Sequence, residues 1–443
     1  MRSLLLRGGR VVDPSLDLDG TRDVLLEDGR VRAVEPSIEP PDGAEIRDAS
    51  GLVVSPGLID VHVHLREPGG EHKETIASGA RAAAAGGFTA VCAMPNTDPP
   101  VDDPAAVGFV RAEGMRSGAA RVYPVGTVSV GRAGERLGPV GEMIEAGAVA
   151  ITDDGSPVAD AGLMRLALEY ARTFGIPVAS HCEVPTLSRG GSMNEGIVSA
   201  RLGLLGIPNA AEDAMIARDL FLCELTGGRL HIQHVSTRRG VEMIRAAKGR
   251  GVPVTAEGTP HHFALTDEAV DGYSTAAKVN PPLRAEADRA AVLEGVVDGT
   301  LDVIATDHAP HHYDEKEQAF DDAPFGLIGL ETALGLAIGR LVAPGLIELS
   351  TLVDRMSCAP ARAMNLPGGT LEPGSPADVT VFDPTAEWTV QADAFLSKSA
   401  NSPFIGWSLT GRAELTLVGG RAVWDRARGG IQTRTPTPAF HDG

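Results

Sequence analysis

Hydrophobic and polar positions alternate with a period of two near both ends of this chain, which is typical of strands with one buried face. The first fifty or so residues contain SLLLRGGRVVD and DVLLEDGRVRAVEP, with Asp28 and Gly29 at a predicted hairpin turn. The last seventy or so contain PADVTVFD, AEWTV and ELTLVGGRAVWD, separated by Gly and Pro. Neither end alone has enough strands to bury a sheet face, so we predict that both ends pair into one small β domain.

Between the two ends, short β-branched runs alternate with Ala-rich amphipathic stretches such as KETIASGARAAAA and AEDAMIARDL. This alternation predicts βα units with parallel strands. The eight runs are LIDVHVH, FTAVCAM, ARVYPVGTV, AVAITDD, IPVASHC, RLHIQHVS, VPVTAEG and LDVIATDHA. Eight parallel strands close a barrel, so the predicted fold is α/β, a (β/α)8 TIM barrel with a small accessory β domain.

The predicted domain ranges follow from this pattern. Residues 1–54 form the N-terminal part of the small β domain, residues 55–365 the barrel, and residues 366–443 the C-terminal part of the β domain with a tail. The final stretch, QTRTPTPAFHDG, is polar and Pro-rich, and we expect it to be mobile.

Composition narrows the classes of function. The 39 Lys and Arg against 59 Asp and Glu give a formal charge of −20, which would repel nucleic acid and anionic membrane surfaces. We therefore expect a small-molecule substrate and no nucleic-acid or membrane partner. The four cysteines form no CxxC pair, and the N-terminal apolar stretch is too short for a signal peptide, so a cytoplasmic location is expected.

Five of the eight runs end in His or Asp, and barrel enzymes build their sites at the carboxyl ends of strands. His62 and His64 share one face of the first strand because they are two positions apart. A lone strand histidine is more often structural than a ligand, but the whole set is a much stronger signal. The other candidate ligands are Asp153, Asp154, His181, His231, His234, Asp307 and His308.

Strand geometry leaves two choices open within this set. Asp153 and Asp154 face opposite ways, and so do His231 and His234, so one residue of each pair can reach a common centre. Four His and two Asp at one barrel mouth would support two zinc ions that share a bridging carboxylate.

The sequence resembles a known group, the amidohydrolase superfamily, and within it the dihydroorotases of the bacterial type (class I). The motifs that carry the resemblance are DVHVHLREPGG, AMPNTDPP, TDDG, SHCE, HIQHVS, TPHH, KVNPPLR and ATDHAPH, with GTLEPGSPADVTVFD beyond the barrel. The resemblance implies reversible, zinc-dependent hydrolysis of the cyclic amide of dihydroorotate to N-carbamoyl-aspartate, in pyrimidine biosynthesis.

The resemblance also implies the roles of individual residues. His62 and His64 would hold one zinc ion, and His181 and His234 the other. Asp154 and a hydroxide would bridge the two ions, and Asp307 would ligate the first ion and act as acid and base. Many relatives in the superfamily use a carboxylated lysine as the bridge, but no lysine stands between Lys73 and Lys248 here.

Substrate contacts are implied for His64, Arg66, Asn96, Asn280, His311, Phe325 and Gly326. Arginine can bind a carboxylate with two hydrogen bonds, and dihydroorotate carries one. The alternative for Arg66 is a structural salt bridge. The polar segment HHYDEKEQAFDDAPFG, beyond the eighth run, is a candidate lid.

The remaining histidines receive no catalytic role. We expect His261 and His262 to be structural or to support the ligands, and we assign no role to His72, His308, His312 or His441.

Two rival functions remain. One is another cyclic-amide hydrolase, namely a hydantoinase, dihydropyrimidinase or allantoinase. The other is a catalytically silent subunit that supports aspartate transcarbamoylase, and the chain could also form a homo-oligomer.

Overall fold

The strands form a chain-end sheet and a barrel in the computed structural model, which describes residues 3–432. In chain order the strands are β1 Ser3–Asp13, β2 Leu18–Glu27, β3 Arg30–Glu35, β4 Glu45–Asp48, β5 Val53–Pro56, β6 Leu58–Val63, β7 Phe88–Ala93, β8 Arg121–Pro124, β9 Pro177–Ser180, β10 Met193–Asn194, β11 Gly206–Ile207, β12 Arg229–Ile232, β13 Val254–Gly258, β14 Val303–Ile304, β15 Val379–Thr389, β16 Ser408–Val418, β17 Arg421–Asp425 and β18 Gly430–Ile431. Apart from Gln432, the predicted tail lies outside the described residues.

Helices follow the barrel strands and cover the loops. In chain order they are α1 Ile76–Ala85, α2 Pro104–Ser117, α3 Val140–Glu145, α4 Ala161–Phe174, α5 Pro185–Ser188, α6 Ile197–Leu202, α7 Asn209–Thr226, α8 Arg238–Gly249, α9 Pro260–Ala264, α10 Glu286–Asp298, α11 Tyr313–Lys316, α12 Ala333–Ala337, α13 Leu349–Val353 and α14 Ala359–Met364. Within residues 3–432, none of the helices is both long and apolar enough to cross a bilayer.

Both chain ends build one sheet, as the sequence predicts. Its order is β18-β17-β16-β15-β5-β1-β2-β3, with β4 paired to β1. Strand β5 joins the two ends, because it runs parallel to β1 and antiparallel to β15. At the predicted hairpin, Asp28 and Gly29 have φ of 47° and 83°, the left-handed pair that a two-residue turn between twisted strands requires. The three predicted domain ranges stay predictions.

The eight runs close into the predicted barrel through two seams. Strands β6, β7 and β8 form one part of the wall, and β9, β12, β13 and β14 form the other. Ile151 fills the first seam, because it bridges Gly126 on one side and Val178 on the other. At the second seam Val63 bridges His308, and the His64 amide donates to His308 O at 2.8 Å. The fourth run therefore contributes a single bridge residue rather than a strand.

Helix α4 shows how the sequence sets the outer layer. The side chain of Asp160 accepts from the Leu163 amide at 2.8 Å and caps the first turn, and Gly175, at φ 71°, ends the helix. The buried residues Leu163, Met164, Ala167, Leu168 and Ala171 recur every three or four positions, so they form one stripe against the barrel.

A buried ion pair joins the barrel to the chain-end sheet. Arg121, in β8, donates from Nε to Asp378 Oδ2 at 2.6 Å and from Nη2 to Asp378 Oδ1 at 3.0 Å. Asp378 immediately precedes β15, and its Oδ1 also accepts from the Gly419 amide at 2.7 Å. Both charged groups are buried, so each depends on the other for compensation of its lost hydration.

We expect Arg121→Met to lower the free energy of unfolding by about 3–5 kcal/mol, because it leaves the Asp378 carboxylate buried without its partner. The measurement is chemical denaturation of the purified chain. Arg10→Met is the matched control, since Arg10 binds Asp19 with the same two-bond geometry at an exposed site, and such a pair contributes about 0–1 kcal/mol. Equal losses in the two variants would contradict the structural role of the buried pair.

Candidate functional site

All six residues predicted as metal ligands gather at one mouth of the barrel. His62 lies in β6, and each of the others follows its strand or bridge residue within three positions. Every one is buried, with at most 7% of its surface exposed. The six residues are His62, His64, Asp154, His181, His234 and Asp307.

One group of side chains forms where β6 meets the end of β14. His62 Nε2 lies 3.5 Å from Asp154 Oδ1 and 3.4 Å from Asp307 Oδ1. His64 Nε2 lies 3.0 Å from Asp307 Oδ1 and 3.5 Å from Asp154 Oδ2. Two imidazole nitrogens and two carboxylates thus face a common point.

Asp154 also belongs to a second group. Its Oδ1 lies 3.5 Å from His181 Nδ1 and 3.6 Å from His234 Nε2, and these two nitrogens are 2.9 Å apart. Two sets of potential metal ligands therefore share this one carboxylate. A carboxylate that bridges two ions would occupy this position.

Most of these separations match ligand atoms around a shared ion rather than hydrogen bonds. Two atoms bound at about 2.1 Å to one tetrahedral ion lie about 3.4 Å apart. His62 Nε2 and Asp154 Oδ1 are buried, and neither has a hydrogen-bond partner in the part of the chain that the structure describes. An unsatisfied buried polar atom costs about 1–3 kcal/mol, and a cation at this point would remove that cost. The donor set fits metal ions.

Glu257, near the end of β13, lies in the barrel interior and makes hydrogen bonds to residues of the cluster. Its Oε2 accepts from His62 Nδ1 at 2.9 Å and from the His234 amide at 3.1 Å, and its Oε1 accepts from His231 Nε2 at 2.9 Å. The bond to Nδ1 leaves the Nε2 lone pair of His62 facing the cluster. Glu257 was not predicted from the sequence, although its position as a carboxylate near the end of the seventh run could have identified it.

Two further polar side chains lie beside imidazoles of the cluster, and one of them, Asn96, makes a hydrogen bond. Asn96 Oδ1 accepts from His64 Nδ1 at 2.8 Å, so Nε2 of His64 faces inward. Glu183 Oε2 lies 3.6 Å from His181 Nε2, the ring nitrogen that does not face Asp154, and it accepts from Asn280 Nδ2 at 2.7 Å. Glu183 is the second supporting residue that the sequence analysis missed, although it stands in the SHCE motif.

The carboxylates make the mouth favourable for positive charge. Burial by itself lowers the pKa of His181, but Asp154 and Glu183 outweigh burial and raise that pKa to about 10. Burial acts on His62 in the same direction, and the nearby carboxylates, Glu257 foremost, nevertheless hold its pKa well above the usual value. A bound cation would replace the protons on these rings, because a ligating imidazole is neutral.

The backbone departs from extended geometry at three residues of the site. Arg66, His234 and Asp307 have φ of 61°, 31° and 50°, in the left-handed region that non-glycine residues rarely adopt. Such conformations cost on the order of 1–3 kcal/mol each and persist where the surrounding structure enforces them. They redirect the side chains, so alternation along a strand could not identify the ligands.

In each pair that strand geometry left open, one member points away from the cluster. These two residues are Asp153 and His231. The Asp153 carboxylate accepts from the backbone amides of Val128 and Ser129 at 2.9 and 3.1 Å. His231 Nδ1 bonds Thr255 Oγ1 at 2.7 Å, and its Nε2 is held by Glu257. Asp154 and His234 are the members of each pair that reach the cluster.

A cavity of about 200 Å³ opens onto the cluster. All seven residues predicted to contact the substrate line it, together with Asp154, His181, His234 and Asp307. The seven are His64, Arg66, Asn96, Asn280, His311, Phe325 and Gly326. The potential metal ligands and the potential substrate contacts thus face the same space.

Arg66 brings a positive charge to this cavity without a carboxylate partner. Its Nε donates to Pro310 O at 3.1 Å, and its Nη2 lies 3.1 Å from His311 Nε2. It forms no salt bridge within the described residues, so the structural ion pair considered as an alternative is absent there. Burial lowers its pKa to about 10, which leaves the group charged at neutral pH. A partly buried cation without an acidic partner favours an anionic ligand.

The histidines without an assigned role lie outside the cluster. His262 bonds Thr259 Oγ1 at 2.7 Å and Pro281 O at 2.9 Å, which is a structural arrangement. His261 is buried beside it, and burial lowers its pKa to about 4. His308 lies 3.5 Å from Glu74. His441 lies outside the described residues.

The predicted lid segment, residues 311–326, is held by two lysines, Lys278 from outside the segment and Lys316 from within it. Lys278 Nζ donates to Phe320 O at 2.6 Å, and Lys316 Nζ donates to Pro324 O at 2.8 Å and to Gly326 O at 2.9 Å. The segment is therefore fixed in place and forms one wall of the cavity in this structure. Its opening and closing stay a prediction.

The fold and the site together define a class of protein, the metal-dependent barrel hydrolases of the amidohydrolase superfamily. The L-hydantoinase of Arthrobacter aurescens has the same fold, with a TM-score of 0.88 and 26% identity over 98% of both chains. A family model described as Dihydro-orotase-like matches residues 51–240.

Relatives named as dihydroorotases are more similar in sequence. The one from Geobacter metallireducens is 54% identical over 424 residues, which are 96% of this chain and 100% of that protein. The one from Pelotomaculum thermopropionicum is 54% identical over 420 residues, with 95% and 98% covered. The chain belongs to the dihydroorotase family.

Glu257→Gln should weaken metal binding, because the amide no longer offers two acceptor oxygens to His62, His231 and the His234 backbone. Loss of such a supporting carboxylate typically lowers metal affinity about 10–100-fold. Competition with a chelator of known affinity gives the measurement.

Glu331→Gln is the matched control for that experiment. Glu331 is a partly buried glutamate, and its carboxylate accepts from the backbone amides of Leu396 and Ser397 instead of from imidazoles. Metal affinity should stay at the wild-type value in this variant. If both variants lost affinity equally, the loss would reflect general destabilisation rather than the contact of Glu257 with the imidazoles.

Proposed function

We propose that this chain is a zinc-dependent dihydroorotase, which reversibly hydrolyses the cyclic amide of (S)-dihydroorotate to N-carbamoyl-L-aspartate in de novo pyrimidine biosynthesis. One observation carries the proposal, namely that a cluster of potential metal ligands faces the same cavity as a partly buried arginine with no acidic partner within the described residues. The substrate matches both features, because it has a cyclic amide to be hydrolysed and a carboxylate to be paired. The 54% identity to curated dihydroorotases supports it.

Two zinc ions per chain fit the donor set. His62, His64 and Asp307 would hold the first ion and His181 and His234 the second, and Asp154 would be a ligand of both. Imidazole and carboxylate donors without thiolates suit zinc at a catalytic site. When bound, the ions supply Lewis acidity toward the amide carbonyl and a water whose pKa lies near neutrality.

The residues of the cavity wall would orient the substrate. Arg66 would pair the ring carboxylate with two hydrogen bonds, and His311, 3.1 Å away, would lie beside it. Asn280 Oδ1 is buried and has no hydrogen-bond partner within the described residues, so it can accept from a ring N–H. Asn96, Phe325 and Gly326 would complete the contacts.

Asp307 would move the proton. Its carboxylate faces the cavity and lies 3.0 Å from His64 Nε2. Burial favours its protonated form, but His62 and then His64 outweigh burial and lower its pKa, so the carboxylate is ionised at neutral pH. In this role it takes the proton released by the attacking water and delivers it to the departing ring nitrogen. Ring closure uses the same group in reverse.

Asp307→Asn should retain most of its metal and lose turnover by at least about 10²–10⁴-fold, because an amide cannot carry the proton. The assay follows dihydroorotate ring opening, with metal content measured on the same sample. Asp153→Asn serves as the control, since that neighbouring carboxylate holds backbone amides, and it should keep its turnover. Turnover of Asp307→Asn near the wild-type rate would refute the assignment.

Arg66→Met should raise KM for dihydroorotate about 10–100-fold, the effect of losing a charge-assisted pair of hydrogen bonds. The ratio of kcat/KM for dihydroorotate to that for uncharged dihydrouracil should fall by a similar factor. Arg229→Met is the control, because Arg229 also donates to backbone carbonyls but lies away from the cavity. An unchanged ratio would mean that Arg66 does not bind the carboxylate.

The rival functions fit the site less well. A hydantoinase acts on uncharged rings and has no use for the unpaired charge of Arg66. A silent subunit that supports aspartate transcarbamoylase needs no complete ligand set, so the clustering of all six candidate ligands at one mouth supports an active chain instead. A complex with that enzyme or a homo-oligomer is compatible with an active chain. A cytoplasmic location is supported by four cysteines that are all free and buried.

A further inference from the structure

We propose that Asn401 is a positioning residue that holds one wall of the cavity in its ligand-binding geometry. Asn401 belongs to the C-terminal range, residues 366–443, in which the sequence analysis placed no site residue. It lies in the irregular stretch between β15 and β16. The proposal rests on the proposed function only for the identity of the ligand that this wall contacts.

The side chain of Asn401 bonds three residues that line the cavity. Its Oδ1 accepts from the His311 amide at 3.1 Å, and its Nδ2 donates to Ala309 O and to Gly326 O, each at 3.0 Å. Asn401 does not line the cavity itself and is 8% exposed. It therefore acts on the ligand through the backbone of its three partners.

Only a primary amide of this length satisfies all three groups. The wall presents one N–H, from His311, and two carbonyl oxygens, from Ala309 and Gly326. An asparagine offers one acceptor oxygen and two donor hydrogens in one plane, which matches this set. Aspartate would place an oxygen against two carbonyl oxygens, and alanine would remove the Asn401 hydrogen bond from all three groups, of which Gly326 O would keep only its bond from Lys316.

The wall is tightly packed, so a shift of one residue moves the others. Gly326 has φ of 133°, and a Cβ there would lie 2.8 Å from Ala309 Cβ and 3.1 Å from His311 Cδ2. The His311 ring in turn contacts Arg66 Nη2 at 3.1 Å. The hydrogen bonds of Asn401 thus fix the face that meets the carboxylate end of the proposed substrate.

The segment that carries Asn401 is itself held by two carboxylates of the barrel range, the buried Glu74 and the partly buried Glu331. Glu331 accepts from the Leu396 amide at 2.9 Å, and Glu74 accepts from the Lys398 amide at 3.2 Å. The backbone carbonyl of Asn401 accepts from the Ile328 amide at 3.0 Å. The C-terminal segment is therefore fixed against the barrel and can position the wall.

The test is Asn401→Asp in the metal-loaded full chain. We expect faster amide hydrogen exchange in peptides that cover residues 309–312 and 325–328. We also expect KM for dihydroorotate to rise about tenfold or more, with kcat within about threefold of wild type, because the wall binds ground state and transition state alike. Metal content should not change.

Asn194→Asp is the matched control. Asn194 is also buried and also uses both ends of its amide, donating to Asp267 at 2.8 Å and accepting from Arg284 at 3.2 Å, but it does not line the cavity. It should lose stability without a change in KM. If Asn401→Asp does not fold, Asn401→Ala replaces it, and direct binding of N-carbamoyl-L-aspartate is measured by calorimetry.

Two results would overturn the proposal. One is wild-type exchange in both peptides of a folded variant. The other is faster exchange with an unchanged KM, which would make the hydrogen bonds structural only. If the wild-type chain did not turn over dihydroorotate, the proposed function would fail, and hydrogen exchange alone would then decide whether Asn401 holds the wall.

Discussion

Buried imidazoles and carboxylates that face one point require a cation between them, and this requirement governs the mouth of the barrel. Within residues 3–432, His62 Nε2 and Asp154 Oδ1 are buried without hydrogen-bond partners, although Nδ1 of His62 donates to Glu257. Left-handed backbone at His234 and Asp307 adds strain to the arrangement. A structure that keeps such features in place is organised around charge that metal ions would supply.

In the proposed function, the cavity would gain its selectivity from the charge of Arg66. Arg66 is partly buried, positive and without a carboxylate partner within the described residues, so the cavity would offer one end to a polarised carbonyl and the other to an anion. The fold is shared with hydantoinases, so the barrel does not decide which cyclic amide is bound. Side chains at the rim of the cavity make that choice.

The chain-end β sheet and its connecting segments are more than an attachment to the barrel. Arg121 and Asp378 join β8 to β15 through a buried ion pair, and strand β5 passes directly from the sheet into the first barrel strand. The C-terminal segment then reaches the cavity wall through Asn401. Contacts from the barrel and from the chain-end part of the protein therefore both determine the shape of the site.

Several features of this protein were present in the sequence alone. The period of two at both ends and the eight β-branched runs predicted the sheet and the barrel, because burial of strand faces leaves a local pattern. His62 and His64 could be assigned to one face for the same reason. The motifs, through their resemblance to a family, also carried the selection of Asp154 and His234, which strand geometry had left open.

Other features were decided only by the tertiary structure. Alternation fails at His234 and Asp307, because the backbone turns into the left-handed region where these residues leave their strands. Glu257 and Asn401 escaped the sequence analysis, because their roles consist of hydrogen bonds to distant parts of the chain. Asn401 and His311 are 90 positions apart. A contact of that kind leaves no local periodicity, and only the folded chain brings its two halves together.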